Sequence, residues 1–279
     1  MGKFSKLFFV GLLILGVTGL SYAEAPYGVT EKRKVIIEGS TTVLPIAQAA
    51  AEMFMRQNPD VDITVRGGGS GVGIASFIDK TCDIADSSRA IKTEEVEKAA
   101  VNHRDPLAHV VAMDGIALIV NPANPLTAIS KSQVKDIFTG NISNWKELGG
   151  NDEKIVVISR DSSSGTFEAF GTLALSGAKV RSDALLQASN QAVASVVTRT
   201  PGAIGYVGLG YISSEVKALT LDGVMPSKET VLTNKYAFCR PLYMFTNGEP
   251  TGATRDFIDF VTSKEGQKIV DEQGYVGLK

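Results

Sequence analysis

Two hydrophobic rhythms alternate along the chain. Short apolar runs at Val35–Glu38, Val61–Arg66, Asp83–Asp86, Lys154–Ser159, Ala203–Val207 and Tyr236–Thr246 predict strands. Between them, apolar residues recur at three- and four-residue intervals. Pro45–Gln57 is the clearest case, with Ile46, Ala49, Ala50, Met53 and Phe54 on one helical face. Further helices are predicted at Val72–Ile78, Lys92–Asn102, Ser130–Phe138, Thr166–Leu175, Ser189–Thr198, Thr254–Val261 and Glu265–Glu272. Glu94 and Glu95 suit the positive end of the helix they open, and Ser130 with Gln133 forms a capping-box pattern. Ala108–Asn121 reads as one long β-rich stretch interrupted at Asp114–Gly115. Strands alternating with helices predict an α/β fold built around largely parallel sheets. No Pro/Ser-rich linker separates two halves, so any two domains are joined through strands.

The N-terminus follows neither rhythm. Lys3 and Lys6 precede an apolar run from Leu7 to Leu20, followed by small residues at Ser21, Ala23 and Ala25. Residues 1–23 read as a cleavable secretory signal peptide. The run is shorter than the ~20 residues that a spanning helix needs. No cysteine follows it to carry a lipid. Export to the periplasm is the expectation, with a soluble mature chain.

Composition narrows the function. The chain has 279 residues, 44% of them hydrophobic, enough for a packed core and against a disordered chain. It carries 28 basic and 30 acidic residues without a basic run, which argues against nucleic-acid binding. Cys82 and Cys239 are expected on core strands of one lobe, and their spacing leaves pairing open. His103 and His109, the only histidines, flank a helix-to-strand connection and read as surface residues. No metal-ligand spacing is present.

The chemistry concentrates in four turns after strands. These are Gly39-Ser40-Thr41-Thr42, Gly67-Gly68-Gly69-Ser70-Gly71, Ser87-Ser88-Arg89 and Arg160-Asp161-Ser162-Ser163-Ser164-Gly165-Thr166. Each offers hydroxyl donors, and those that open helices add free N–H groups and a positive dipole end. Taken singly, each is an ordinary N-cap or glycine turn. Four of them in one chain, two with arginine, suit a compact oxyanion held at the strand ends of an open α/β sheet. An enzyme is the rival class. The glycine cluster lacks the G-K-[ST] of a phosphate-binding nucleotide loop. It carries G-x-S-x-G only out of register, neither histidine sits in a general-base motif, and no carboxylate cluster suits catalytic metals.

The runs EGSTTVLPIAQ, RGGGSGVGIASF, DIADSSRAI, DGIALIVNPANP, SRDSSSGTFEAF and CRPLYMFTN, in this order, resemble the periplasmic phosphate-binding proteins of bacterial phosphate ABC importers. The R-x-x-x-S-G-T element from Arg160 to Thr166 is the most specific part. The resemblance implies a two-lobed type II periplasmic binding protein fold, α/β, each lobe a mostly parallel sheet flanked by helices. It implies two hinge crossings, near Asp114–Gly115 and Phe238–Pro241. Lobe one is then 26–113 plus 241–279, and lobe two 114–240. It further implies no enzyme activity, no cofactor and no metal. The expected partners are inorganic phosphate and the importer's membrane permease, and the expected state is a monomer. Sulfate or molybdate binding, a secreted anion-sensing module and a phosphate-ester hydrolase stay open as alternatives.

Carried over residue by residue, the resemblance places Thr41, Thr42, Ser70 and Ser88 on the anion from lobe one. Arg160, Ser164, Gly165 and Thr166 reach it from lobe two. Asp86, Arg89 and Asp161 stand behind them, with Asp161 expected to orient Arg160. One branch of the family has an aspartate that accepts the phosphate proton; Ser88 occupies that position here, with Asp86 two residues earlier. The Ser88 hydroxyl, helped by Asp86 or Asp114, is therefore the expected acceptor. Arg160 is expected in a surface turn lining the cleft, as the one full positive charge on the anion.

Overall fold

The computed structural model describes Gly2 and residues 32–278. The leader read at 1–23 lies, Gly2 aside, outside the described residues.

The first half of the chain runs β1 (Arg33–Gly39), α1 (Leu44–Gln57), β2 (Val61–Gly67), α2 (Ser70–Ile78), β3 (Ile84–Ser87), α3 (Thr93–Val101), β4 (Pro106–Val120), β5 (Ala128–Ile129) and α4 (Lys131–Thr139). The second half runs β6 (Val156–Arg160), α5 (Gly165–Leu173), β7 (Leu185–Gln187), α6 (Asn190–Arg199), β8 (Ala203–Gly208), β9 (Lys217–Ala218), β10 (Thr220–Leu221), α7 (Lys228–Leu232), β11 (Cys239–Asn247), α8 (Gly252–Thr262) and α9 (Lys264–Glu272). The expected helices and strands all appear, with shifted ends. The two-residue strands and α7 carry too little apolar periodicity to be read from sequence.

One nine-stranded sheet runs in the order β2-β1-β3-β11-β4-β8-β6-β7, with β9 added on β4. Parallel pairing is confined to its two flanks, β2-β1-β3 and β8-β6-β7. The centre is antiparallel: β11 pairs with β3 and β4, and β4 pairs with β8. The sheet is thus mixed, where largely parallel sheets were expected. The long β4 explains it. Its first part pairs with β11 through Gly115, and its second part with β8 from Ile116. Asp114–Gly115 does not interrupt the strand; Asp114 and Gly115 stay in register opposite Arg240 and Cys239.

Apolar residues collect in separate cores on either side of that point. Ile37, Ile46, Ala50, Phe54, Leu242, Met244, Phe257 and Val270 build one beneath α1, α8 and α9. Leu118, Val134, Phe138, Trp145, Phe170, Tyr206 and Phe238 build another, in which the Phe170 and Tyr206 rings stack at 4.0 Å. Smaller clusters back each one, around Phe77 under α2 and around Val193 under α6. The architecture is a two-lobed α/β fold in which β4 and β11 carry the chain from one core to the other.

Both cysteines are free thiols. Cys82 sits just before β3 in the Phe77 cluster, and Cys239 opens β11 against the Phe238 core. They belong to different cores, not to strands of one lobe. Burial pushes the Cys239 thiol up to about 11, so it stays protonated.

Candidate functional site

Four helices begin at one place. The Ser40–Thr42 turn between β1 and α1, Ser70 at the first position of α2, Ser164–Thr166 at the start of α5 and Asn190 opening α6 all meet where the two cores face each other. Thr42 Oγ1 lies 3.0 Å from Thr166 Oγ1. Ser70 Oγ accepts from Ser88 N at 3.0 Å and lies 3.4 Å from Ser88 Oγ. Asn190 Nδ2 donates to Thr41 Oγ1 and Thr42 Oγ1 at 3.1 and 3.0 Å. The Tyr211 hydroxyl donates to the Thr41 carbonyl at 2.6 Å. Free helix-end N–H groups and hydroxyls concentrate positive potential here.

Glycine permits the approach. A Cβ on Gly165 would lie 2.3 Å from Ser70 Oγ and 2.8 Å from Ser88 Oγ. Gly69, at φ +98°, would push a Cβ to 2.7 Å from the Ser163 carbonyl. That carbonyl instead accepts from Gly71 N at 2.9 Å, and Ser163 Oγ donates to the Gly68 carbonyl at 3.1 Å. The Gly67–Gly71 run therefore serves contact across the lobes as much as the turn itself.

Arg160 ends β6 and is buried, not placed in a surface turn. The expectation failed because the side chain is enclosed by partners remote in sequence, the Gln187–Ala188 backbone and Thr41. Arg160 Nε donates to the Gln187 carbonyl at 3.0 Å, and Nη2 to the Ala188 carbonyl at 3.0 Å and Thr41 Oγ1 at 3.2 Å. Nη1 is buried without a partner. Burial pulls the Arg160 pKa down, yet a guanidinium stays charged at any physiological pH. An unpaired buried cationic N–H is costly unless an anion meets it.

The three residues expected behind these contacts take other roles. Asp161 does not orient Arg160: its Oδ1 accepts from Ser163 N at 2.9 Å and Ser163 Oγ at 2.6 Å, bracing the turn. Arg89 turns away into an ion-pair chain, with Glu95 at 2.6 Å and, across the lobes, Glu168 of α5 at 3.0 Å. Lys92 meets the same Glu168 carboxylate at 2.9 Å. Asp86 is buried, its Oδ1 lacks a partner, and desolvation pushes its pKa well above the ordinary range. Ser164 spends its hydroxyl oxygen capping α5, accepting from Phe167 N at 3.2 Å.

A family model for the PBP superfamily domain matches residues 25–265. Phosphate-binding protein PstS of Bacillus subtilis is 40% identical over 242 residues, covering 86% of this chain and 79% of the relative. PstS of Borreliella burgdorferi is 37% identical over 257 residues, covering 88% and 90%. A putative phosphate ABC transporter substrate-binding protein from Clostridium perfringens, solved with bound phosphate, superposes with a TM-score of 0.83 at 37% identity, over 88% of this chain and all of that one. The chain belongs to the PstS family of the PBP superfamily.

Within this PstS-family cluster, sequence reasoning missed Arg240, Asn190 and Tyr211. Arg240, buried on β11, donates from Nε and Nη2 to Asp114 Oδ2 at 3.0 and 2.9 Å. Its Nη2 also reaches Thr166 Oγ1 at 2.9 Å and Thr42 Oγ1 at 3.3 Å, and Nη1 donates to the Ser88 carbonyl at 3.1 Å. Asp114 is thereby engaged with Arg240 and, through Oδ1, with Leu209 N at 2.9 Å. It is no free acceptor. A signal for the pair existed, since an arginine and an aspartate each break an apolar strand run. Asn190 and Tyr211 carried none.

Proposed function

We propose that this chain is an extracytoplasmic solute-binding protein that captures inorganic phosphate between its lobes and delivers it to the membrane permease of an ABC importer. The unpaired, buried Nη1 of Arg160 beside a cluster of hydroxyls and helix N-termini carries the reading. Thr41, Thr42, Ser70, Ser88, Arg160, Ser164, Gly165 and Thr166 are the proposed anion contacts. Neutral donors and a guanidinium in a water-poor site make charge-assisted bonds to a tetrahedral oxyanion, about twice as strong as neutral ones. The proposed lobes are 26–113 plus 241–279 and 114–240, hinged where β4 and β11 cross. Closure brings α5 against the Gly67–Gly71 turn, and the permease reads the closed shape as loaded.

The relatives named phosphate-binding protein, and the related structure with bound phosphate, support phosphate as the ligand. They also support a binding protein over an enzyme. A periplasmic location and a monomeric state complete the proposal. Titration calorimetry of phosphate-stripped protein with phosphate, sulfate and molybdate tests it. One phosphate per chain is expected, with phosphate preferred over sulfate by about a hundredfold or more, roughly 2.7 kcal/mol. Comparable affinity for the anions would favour a general oxyanion binder.

A further inference from the structure

Arg240 and Asp114 form a cross-strand pair near the end of the β4–β11 ladder, where both strands pass from one core to the other. Both side chains are almost wholly buried, at 5% and 0% exposure. A buried ion pair is a poor source of stability, because desolvating both charges cancels most of their attraction. An apolar pair would hold β4 to β11 as well. The charges demand another reason, and the guanidinium's remaining contacts supply one. From a strand that belongs to neither lobe alone, Arg240 reaches Thr42 Oγ1 and the Ser88 carbonyl on one side and Thr166 Oγ1 on the other. Thr42 and Thr166 are two of the proposed anion contacts, so two guanidiniums converge on one cluster.

We propose that Arg240 is a second anion-binding cation of this site, that Asp114 is its positioning residue, and that the paired arginines make the site prefer doubly charged tetrahedral oxyanions over singly charged ones. The inference rests on the phosphate reading. Arg160, Arg240 and Asp114 together leave one net positive charge. A dianion gains from both arginines, whereas a monoanion can satisfy only one fully. Because Arg240 spans both lobes, drawing it onto the anion also draws Thr42 and Thr166 together, which ties loading to closure.

The ionisable groups facing Arg240 do not obscure a test by pH. Asp114 comes from β4, Arg160 from β6, Tyr206 from β8, Cys239 from β11, Tyr211 after β8 and Tyr275 beyond α9. Burial pushes the Tyr206 and Tyr211 hydroxyls up to about 12, the Cys239 thiol up to about 11 and Tyr275 well above its ordinary value. All four stay neutral where phosphate takes its second charge. Asp114, raised by desolvation against the pull of Arg240, is one carboxylate of the group. Asp86 of β3, buried and pushed well above its ordinary value, is the other. Carrying Asp86→Asn in every arm keeps its titration out of the comparison.

On that Asp86→Asn background, the experiment compares the otherwise unaltered mature chain with Arg240→Gln/Asp114→Asn, which removes both charges and strands neither. Arg240→Lys keeps a charge without the fork. Phosphate affinity is measured by calorimetry on both sides of phosphate's second ionisation, with thermal melts in the absence of phosphate as the control for folding. The unaltered chain is expected to bind more tightly as phosphate becomes a dianion. The double variant is expected to melt normally, lose about tenfold or more in affinity and show a flattened pH profile. Arg240→Lys should keep the slope at reduced affinity. A folded double variant that binds within about threefold of the unaltered chain, with the same slope, overturns the inference and leaves the phosphate reading intact. An unaltered chain that binds no phosphate overturns both.

Discussion

Replacing Arg160 with methionine tests the proposed site at its most charged point. Methionine fills much of the arginine's volume without its charge. A guanidinium that meets phosphate through two N–H groups contributes two charge-assisted hydrogen bonds, at about 1.5–3 kcal/mol each. Their loss amounts to about 3–6 kcal/mol, or roughly two to four orders of magnitude in the dissociation constant. Two further consequences act on the fold and oppose each other. The Gln187 and Ala188 carbonyls lose their donors, which costs about 1–3 kcal/mol each. Removing a buried cation relieves a desolvation penalty of several kcal/mol. The net change in stability should therefore be small beside the change in binding.

Calorimetry with phosphate, run alongside circular dichroism melts, separates the two effects. A melting temperature within a few degrees of the parent, which for a domain of this size is about 1–2 kcal/mol, qualifies the binding result. Arg160→Lys should recover part of the affinity, because it restores charge but lacks the planar fork that spans the two carbonyls and the anion. A folded Arg160→Met protein that loses less than about tenfold in affinity would show that Nη1 faces something other than the ligand.

Gly165→Ala should leave the lobes folded but obstruct their meeting, since its Cβ would lie 2.3 Å from Ser70 Oγ. Weaker phosphate binding and a larger scattering radius in saturating phosphate are expected, and unchanged compactness would refute the contact. Glu168→Gln removes the carboxylate that Arg89 and Lys92 share across the lobes. Lys92 and Glu168 are partly exposed, so their pair contributes only about 0.2–1 kcal/mol. Arg89 is buried but keeps Glu95 as a partner, and phosphate release measured by stopped flow should quicken severalfold. High salt should shrink the Lys92 part of that difference and leave the buried Arg89 part. Asp86→Asn should raise the melting temperature near neutral pH and leave it unchanged in acid. Burial raises the folded-state pKa of Asp86, so the native state holds a proton that the unfolded chain releases, and parent stability falls as pH rises through that interval. A parent and variant with parallel pH profiles would refute this.

Periodicity and turn chemistry made the elements legible because each is decided locally. Pro45–Gln57 carries its own apolar face, and Ser130 and Gln133 cap α4 through the bonds their spacing permits. The strand-to-helix turns were legible as well, for hydroxyls and glycines before a helix announce where N–H groups are left free. Strand order was not. The antiparallel centre depends on β11 returning after more than a hundred residues to lie between β3 and β4, a non-local pairing with no nearby mark.

The buried charges show where local reading ends. Arg160 was found through its motif, yet its burial was missed, because burial depends on the Gln187–Ala188 carbonyls that arrive with β7 and the loop after it. Asp161, next in sequence, was the natural choice to hold it, and the chain instead uses Asp161 to brace Ser163. Arg240 and Asp114 lie 126 positions apart, each looking like a flaw in an apolar strand. Read together, the two flaws constrain each other. An arginine inside a buried strand needs a carboxylate within reach, and a buried aspartate needs a donor, so two such breaks in strands that cross between the same lobes satisfy each other by pairing. The Asp114 break was read as a hinge crossing, and the strand tolerates it unbroken because Arg240 answers it.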